Sequence, residues 1–377
     1  MNRLADVPSR ALALWTIAFF SLLSSCVSST DVSPTDAGSP AAEVSAGKPD
    51  VPAPSDAGAE ANAGPGSDAD TDLGPGASDV GQKVSDARPS TPDVAPGGDG
   101  GGASTAKDLI GQLLASIDQK EVQQAVMELY GMSLPNRASG TANYRKATEW
   151  AKVMVEAKAP AVKVTFIEMA GLRNTEIVLP GTDPSAGMYI VGGHMDSVAA
   201  GPGADDDGSG SIGTMFVARA FAKFKFKSEV RFMLFDAEER GFVGSTQYAR
   251  ALRMTCEPTT CLKLYVNLDM ISNDPRNRAA INVTTTDPQL RALHTQINTD
   301  YMIGAMLVFG GNNCGTSDDC SFQRSGYKTI EIKEDDFSPN WHRPSDTMAN
   351  QNVTTMTKNI KLAAGVLASL AGIEGVR

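Results

Sequence analysis

Four short apolar runs, at residues 188–192, 230–235, 264–268 and 329–332, constrain the fold of this chain most. Short, largely apolar runs of this length are the pattern of strands buried in a sheet. Helical stretches at 211–223, 245–253 and 288–301 lie between them. Upstream, apolar residues at helical spacing (Leu109, Ile110, Leu113, Leu114 and Ile117, then Val122, Val126 and Leu129, then Ala147, Trp150, Ala151 and Met154) predict three more helices. Val162, Val164 and Phe166 then alternate as in a half-exposed strand. Strands alternating with helices of this size pack as an α/β fold: a three-layer sandwich with a central mixed, mostly parallel sheet and helices on both faces. The pattern fits one domain, residues 105–377.

Ahead of it the composition changes. Residues 27–104 carry 13 Asp/Glu against three Lys/Arg (Lys48, Lys83, Arg88), with no aromatic residue and no isoleucine, too little apolar surface to offset the entropy of ordering. The segment reads as a disordered tether of Pro, Ala, Gly, Ser and Asp with an r.m.s. span of about 50 Å. It holds most of the formal charge of -11, and residues 105–377 are left near -2. No Lys/Arg cluster supplies a basic face, which excludes binding to a nucleic-acid backbone. Residues 1–26 read as an export signal. Arg3 and Arg10 flank its start, the apolar run at 11–23 is too short to span a bilayer, and Leu23-Ser24-Ser25-Cys26 closes it. That ending resembles the bacterial lipobox, which predicts acylation of Cys26 and a cell-envelope lipoprotein tethered to a membrane or released from it.

In an exported chain the other four cysteines are expected to be oxidised. Close spacing favours Cys256 with Cys261 and Cys314 with Cys320, although three pairings are possible on paper; a tetrathiolate zinc site competes but lacks the usual spacing. Polar motifs cluster where the apolar runs end. Residues 188–192 lead into Gly193-His194-Met195-Asp196, 230–235 into Asp236-Ala237-Glu238-Glu239, and 264–268 into Asp269. Asp205-Asp206-Asp207 opens a helix, and Trp341-His342-Arg343-Pro344-Ser345-Asp346 lies near the C-terminus. Ligands of open α/β sheets sit outside the carboxyl ends of the strands, so these segments converge on one crevice. Crowded buried carboxylates are costly unless cations hold them. With two imidazoles beside them a pair of divalent metals fits best, and nitrogen and oxygen donors in an exported protein suggest zinc. His294 has no acidic motif beside it and reads as a surface residue.

These motifs, with Gly203-Ala204 ahead of the acidic turn, Gly208-Ser209-Gly210 after it, Arg240-Gly241, Asn267-Leu268-Asp269-Met270 and the final Thr347, resemble metallopeptidase family 28. Within it the likeness is to co-catalytic zinc aminopeptidases of the secreted bacterial leucyl type, over residues 137–350. The resemblance implies two Zn2+ ions. Asp206 would bridge them, His194 and Asp269 would complete one site, Glu239 and His342 the other, and Glu238 would be the general base. Asp196 and Asp346 would orient the ligand imidazoles, Asp207 would support the bridge, and the Asp206-Asp207 peptide would be cis. The implied activity is removal of N-terminal residues from peptides with a free N-terminus, by a monomer. The chain departs from the family at Ser317-Asp318-Asp319, where Ser-Asp-His is frequent, and at Trp341, where some relatives carry tyrosine. Met270, Phe322 and Phe337 are candidate pocket walls, and the acidic run Glu334-Asp335-Asp336 is either a determinant for basic substrates or a solvated loop. Two alternatives are a one-zinc glutaminyl cyclase, which keeps similar ligands, and a non-catalytic receptor-like ectodomain, a class in which ligands are lost whereas this chain has all five and the base residue.

Overall fold

A computed structural model describes residues 104–311, 314 and 316–377. The export signal, Cys26 and the tether up to residue 103 lie outside the described residues. Three helices come first. At α1 (Ala106–Ala115) the Thr105 hydroxyl accepts from the Asp108 N–H while the Asp108 carboxylate accepts from the Thr105 N–H, a reciprocal cap that satisfies two orphan donors. Asp118 caps α2 (Gln119–Gly131) and Thr141 caps α3 (Ala142–Glu156). β1 (Lys163–Met169) and β2 (Leu172–Leu179) form a hairpin. Strands and helices then alternate: β3 (Met188–His194), α4 (Gly208–Phe221), β4 (Phe224–Phe226), β5 (Glu229–Phe235), α5 (Val243–Arg253), β6 (Leu262–Leu268), β7 (Ala280–Thr284), α6 (Pro288–Asp300), β8 (Met306–Gly310), α7 (Asp319–Arg324), β9 (Thr329–Glu334), α8 (Val353–Ala371) and β10 (Ile373–Val376).

Eight strands make one sheet in the order β1-β2-β5-β3-β6-β9-β7-β8, and β4 pairs with β10 apart from it. The central four, β5, β3, β6 and β9, are mutually parallel and share one carboxyl edge. Successive residues of these strands feed opposite cores, because side chains alternate across a sheet. Val191, Phe232 and Val266 pack toward α4 and α8; Ile190, Met233 and Tyr265 pack with residues of α5 and α7. This is the mixed three-layer α/β architecture that the apolar runs imply.

Periodicity leaves β2, β7, β8 and α8 unassigned. β2 reads as polar because its buried Asn174 serves as a bonding partner: Nδ2 donates to the Gly244 carbonyl and Oδ1 accepts from the Asp236 N–H. α8 is buried over most of its circumference between Thr355 and Ala371, so no polar stripe marks it as amphipathic. His294 is buried, not on the surface. It shares one face of α6 with Leu290 and Ile297, its Nδ1 lies 2.7 Å from the Leu290 carbonyl, and burial lowers its pKa.

Candidate active site at the carboxyl edge of the sheet

Parallel strands deliver the polar motifs to one place. His194 is the last residue of β3, Glu238 and Glu239 follow β5, Asp269 follows β6, Asp206 precedes α4, and His342 lies on the loop after β9. Three left-handed residues aim these side chains: Ala237 (φ 57), Met270 (φ 53) and His342 itself (φ 58). Non-glycine residues persist there only when the surroundings over-determine them, a pattern that concentrates at functional sites. The Asp206-Asp207 peptide bond is cis.

Carboxylates beside the centre hold the turns together. Asp207 Oδ2 accepts from the His194 N–H (3.0 Å), and its Oδ1 accepts from the N–H groups of Gly210 (2.7 Å) and Met270 (3.2 Å). A Cβ at Gly193 or Gly210 would run into this carboxylate and the Leu268 carbonyl, which is why glycine stands at both. The Asp196 carboxylate lies beside the His194 imidazole, and Asp196 and Asp346 both also accept from backbone N–H groups. His194 Nδ1 lies 3.1 Å from the Asp196 backbone carbonyl and 3.6 Å from its carboxylate. The Asp196 carboxylate also accepts from the N–H groups of Glu238 (3.1 Å) and Glu239 (3.3 Å). Asp346 accepts from the N–H groups of Asp205 (2.9 Å) and Asp206 (3.1 Å).

At the centre Asp206 stands between the two histidines. Its Oδ1 is 3.3 Å from His194 Nε2 and its Oδ2 is 3.3 Å from His342 Nε2. His342 Nε2 also lies 2.8 Å from Glu239 Oε2, and His194 Nε2 lies 3.7 Å from Asp269 Oδ1 and 3.8 Å from Glu238 Oε2. Two triads keep their donor atoms within 4.8 Å: His194, Glu238 and Asp269, and His194, Asp206 and Glu239. This grouping places Glu238 with the ligands, whereas the resemblance makes it the base. Glu238 and Asp269 lie at nearly the same distance from His194 Nε2, 3.8 and 3.7 Å.

Electrostatics show what is missing from the cluster. Burial pushes Glu238 up to about 10, with Asp318 and Asp269 reinforcing it against His194. Burial and then the charge of Asp206 push Glu239 up to about 7. Asp206 is held below the usual carboxylate range, because the hydrogen bonds of His194 and His342 outweigh its burial. His194 is held well above its ordinary value: burial opposes this, but the charge of Glu238 and contacts with Asp196, Asp206 and Asp269 prevail. Asp269 Oδ1 is buried with no hydrogen-bond donor. Carboxylates that retain protons at neutral pH, beside an orphaned carboxylate oxygen and two imidazoles, are the donor set of a divalent cation site.

The model of peptidase family M28 matches residues 174–367, just over half of the chain, a range that includes the strands carrying the cluster and His342. The chain belongs to peptidase family M28. Over 93 residues, 25% of its length, this M28 chain is 45% identical to the probable leucine aminopeptidase 2 of Aspergillus fumigatus, a stretch that makes up 18% of the fungal protein. Leucine aminopeptidase 2 of Trichophyton rubrum is 49% identical over 86 residues, 17% of its length. The chain thus spans less than a fifth of these curated relatives. The LapA aminopeptidase of Legionella pneumophila superposes with a TM-score of 0.63 at 26% identity, over 70% of this chain and 74% of that one. A glutaminyl cyclase of Fimbriiglobus ruber shares the fold, with a TM-score of 0.55 at 19% identity over 67% and 95% of the two chains.

The M28 chain opens the cluster into a cavity of about 610 Å3. Phe242, Met270, Phe337 and Trp341 form its apolar wall. Trp341 stacks on the His342 ring, with centroids 3.8 Å apart and planes 20° from parallel, so it packs against the imidazole. Phe322 is not a wall: it is fully buried and stacks on Tyr265 in the core under α5 and α7. Disulfides join Cys256 to Cys261 and Cys314 to Cys320. The acidic run is tied up internally. Glu334 accepts from the N–H groups of Asn273 and Ser338, Arg278 pairs with Asp335 and Asp336, and Arg276 also pairs with Asp336. Sequence reasoning missed Asn174, which braces the turn before Glu238, and the pair Glu331 and Lys333 in the cavity. The signal for the pair was the polar alternation inside the run at 329–332, which the apolar reading passed over.

Proposed function

We propose that this chain is an aminopeptidase with two zinc ions, hydrolysing N-terminal residues from peptides. The observation that carries the reading is Asp206 set between His194 and His342, one carboxylate oxygen facing each imidazole at 3.3 Å. His194 and Asp269 would hold one ion with it, and Glu239 and His342 the other. A bound pair would acidify water, polarise the scissile carbonyl and stabilise the developing oxyanion. Glu238, outside that ligand set, takes the proton of the attacking water and returns it to the leaving amine. Asp196 fixes the turn that presents Glu238 through the two backbone N–H groups it accepts. The free α-amine of a substrate meets the acidic side of the cavity, at Glu239 and Asp206, which favours exopeptidase over endopeptidase action. The names of the fungal relatives and of the Legionella enzyme support the same reading. Acylation of Cys26 would place the activity at the cell envelope.

The test is a pair of peptides identical except for N-terminal acetylation, incubated with the zinc-loaded full chain and followed by mass spectrometry. Stepwise loss of N-terminal residues from the free peptide alone is expected. Internal cleavage, loss from the acetylated peptide, or conversion of a Gln-initiated peptide to pyroglutamate without hydrolysis would overturn the reading.

A further inference from the structure

β9 alternates, so Ile330 and Ile332 enter the core while Glu331 and Lys333 face the other side of the sheet, toward the cavity. Ile332 pairs with Leu268, and Lys333 therefore follows at the level of Asp269, the residue after Leu268; across the other edge Lys333 pairs with Asn282. Lys333 Nζ donates to Glu331 Oε2 at 2.5 Å. The two side chains differ in exposure: Glu331 is 4% exposed and Lys333 29%. A buried carboxylate thus stands behind an ammonium that faces the cavity. No other Lys or Arg among the described residues lines it.

Other acids near Lys333 have partners of their own. Asp335 and Asp336 are paired with Arg278 and Arg276, and Asp319 accepts from Gln323 Nε2 at 2.9 Å. An ammonium has three donors, of which Glu331 takes one. Asn282 and Thr316 line the same wall, where an amide NH2 and a hydroxyl are further donors. This end of the cavity therefore offers charge and hydrogen bonds to an acceptor, and an aliphatic side chain seated there would leave the ammonium desolvated without a new partner.

We propose that Lys333 is a specificity-determining residue that binds a carboxylate carried by the substrate. The proposal rests on the aminopeptidase reading. The carboxylate has two sources, the side chain of an N-terminal Asp or Glu or the C-terminus of a dipeptide, and both present the same group to the ammonium. The apolar wall of Phe242 and Met270 then packs on the stem that carries it.

The test compares kcat/KM of the zinc-loaded full chain and its Lys333→Met and Lys333→Arg variants on two substrate pairs. Glutamyl and leucyl 4-nitroanilide differ in a side-chain carboxylate; Leu-Gly and Leu-Gly amide differ in a C-terminal one. The wild type is expected to favour the charged member of one pair by about tenfold or more, the scale of a charge-assisted contact. The pair showing it identifies the source. Lys333→Met should abolish the preference and Lys333→Arg should retain most of it. Equal or better use of both neutral members by the wild type, or a preference that survives Lys333→Met, overturns the proposal. If the wild type hydrolyses none of the four, the aminopeptidase reading fails, and calorimetric binding of L-glutamate and L-leucine decides this one separately. Glutamate-selective binding lost in Lys333→Met supports it, and absence of that selectivity overturns it.

Discussion

Glu238 and Asp206 sit in one cluster, yet burial and partners drive them apart: the first is pushed up to about 10 and the second is held low by two imidazoles. In the proposed mechanism such divergence would set a proton carrier apart from a ligand. Glu238→Gln keeps the shape and removes the base, so turnover is expected to fall by about 10²–10⁴-fold with metal content unchanged. Steady-state rates alongside metal analysis check this, and activity within tenfold of wild type would contradict the role. Of the ligand candidates, His194, Glu239 and Asp269 were legible because each stands just past an apolar run, and Asp206 and His342 because they sit in an acidic turn and a polar C-terminal motif. The backbone contacts of Asp196 and Asp346 were not, since the N–H groups they accept from are brought close only by the fold. Glu331 and Lys333 were hidden for another reason. In a strand whose other face is apolar, alternate residues belong to a different environment, and a run read as uniformly buried conceals them.

Among the elements, the shared carboxyl edge of β5, β3, β6 and β9 does the assembling, and Asp207 fastens it. One carboxylate accepts from β3, from the first turn of α4 and from the residue after Asp269. Asp207→Ala leaves three buried N–H groups without their acceptor, a loss of about 3 kcal/mol or more at ordinary desolvation costs. Urea unfolding of the metal-free variant measures it, and a change below about 0.5 kcal/mol would show that water or neighbouring groups replace the carboxylate. The central strands were legible because a parallel strand buried on both faces is nearly continuous in apolar residues. β2 was not, because its central residues bond to the turn before Glu238 in addition to packing. α8 was not, because burial around most of its circumference erases the periodicity that identifies a helix.

For the whole molecule, the cluster links stability to pH and to metal. Glu239, Asp318 and Glu331 are pushed up to about 7, Asp319 and Asp346 to about 6, in each case first by burial, against about 4 for carboxyls in an unfolded chain. The folded state keeps protons that the unfolded chain has released. Their contribution to stability is therefore full below about pH 4 and is lost as pH rises through 6 to 7, continuing toward 10 for Glu238. The melting temperature of the chelator-treated chain is expected to fall between pH 5 and pH 9 by calorimetry, and excess zinc should remove most of that fall. A metal-free melting temperature that climbs across the range would contradict this electrostatic picture. Zinc titration of the metal-stripped chain, with bound metal counted and aminoacyl-amide hydrolysis followed on the same samples, bears most directly on the proposed two-metal centre. Binding should saturate at two ions per chain, with activity absent before the first and complete at the second; saturation at one ion, or full activity in a sample shown to be metal-free, would contradict it.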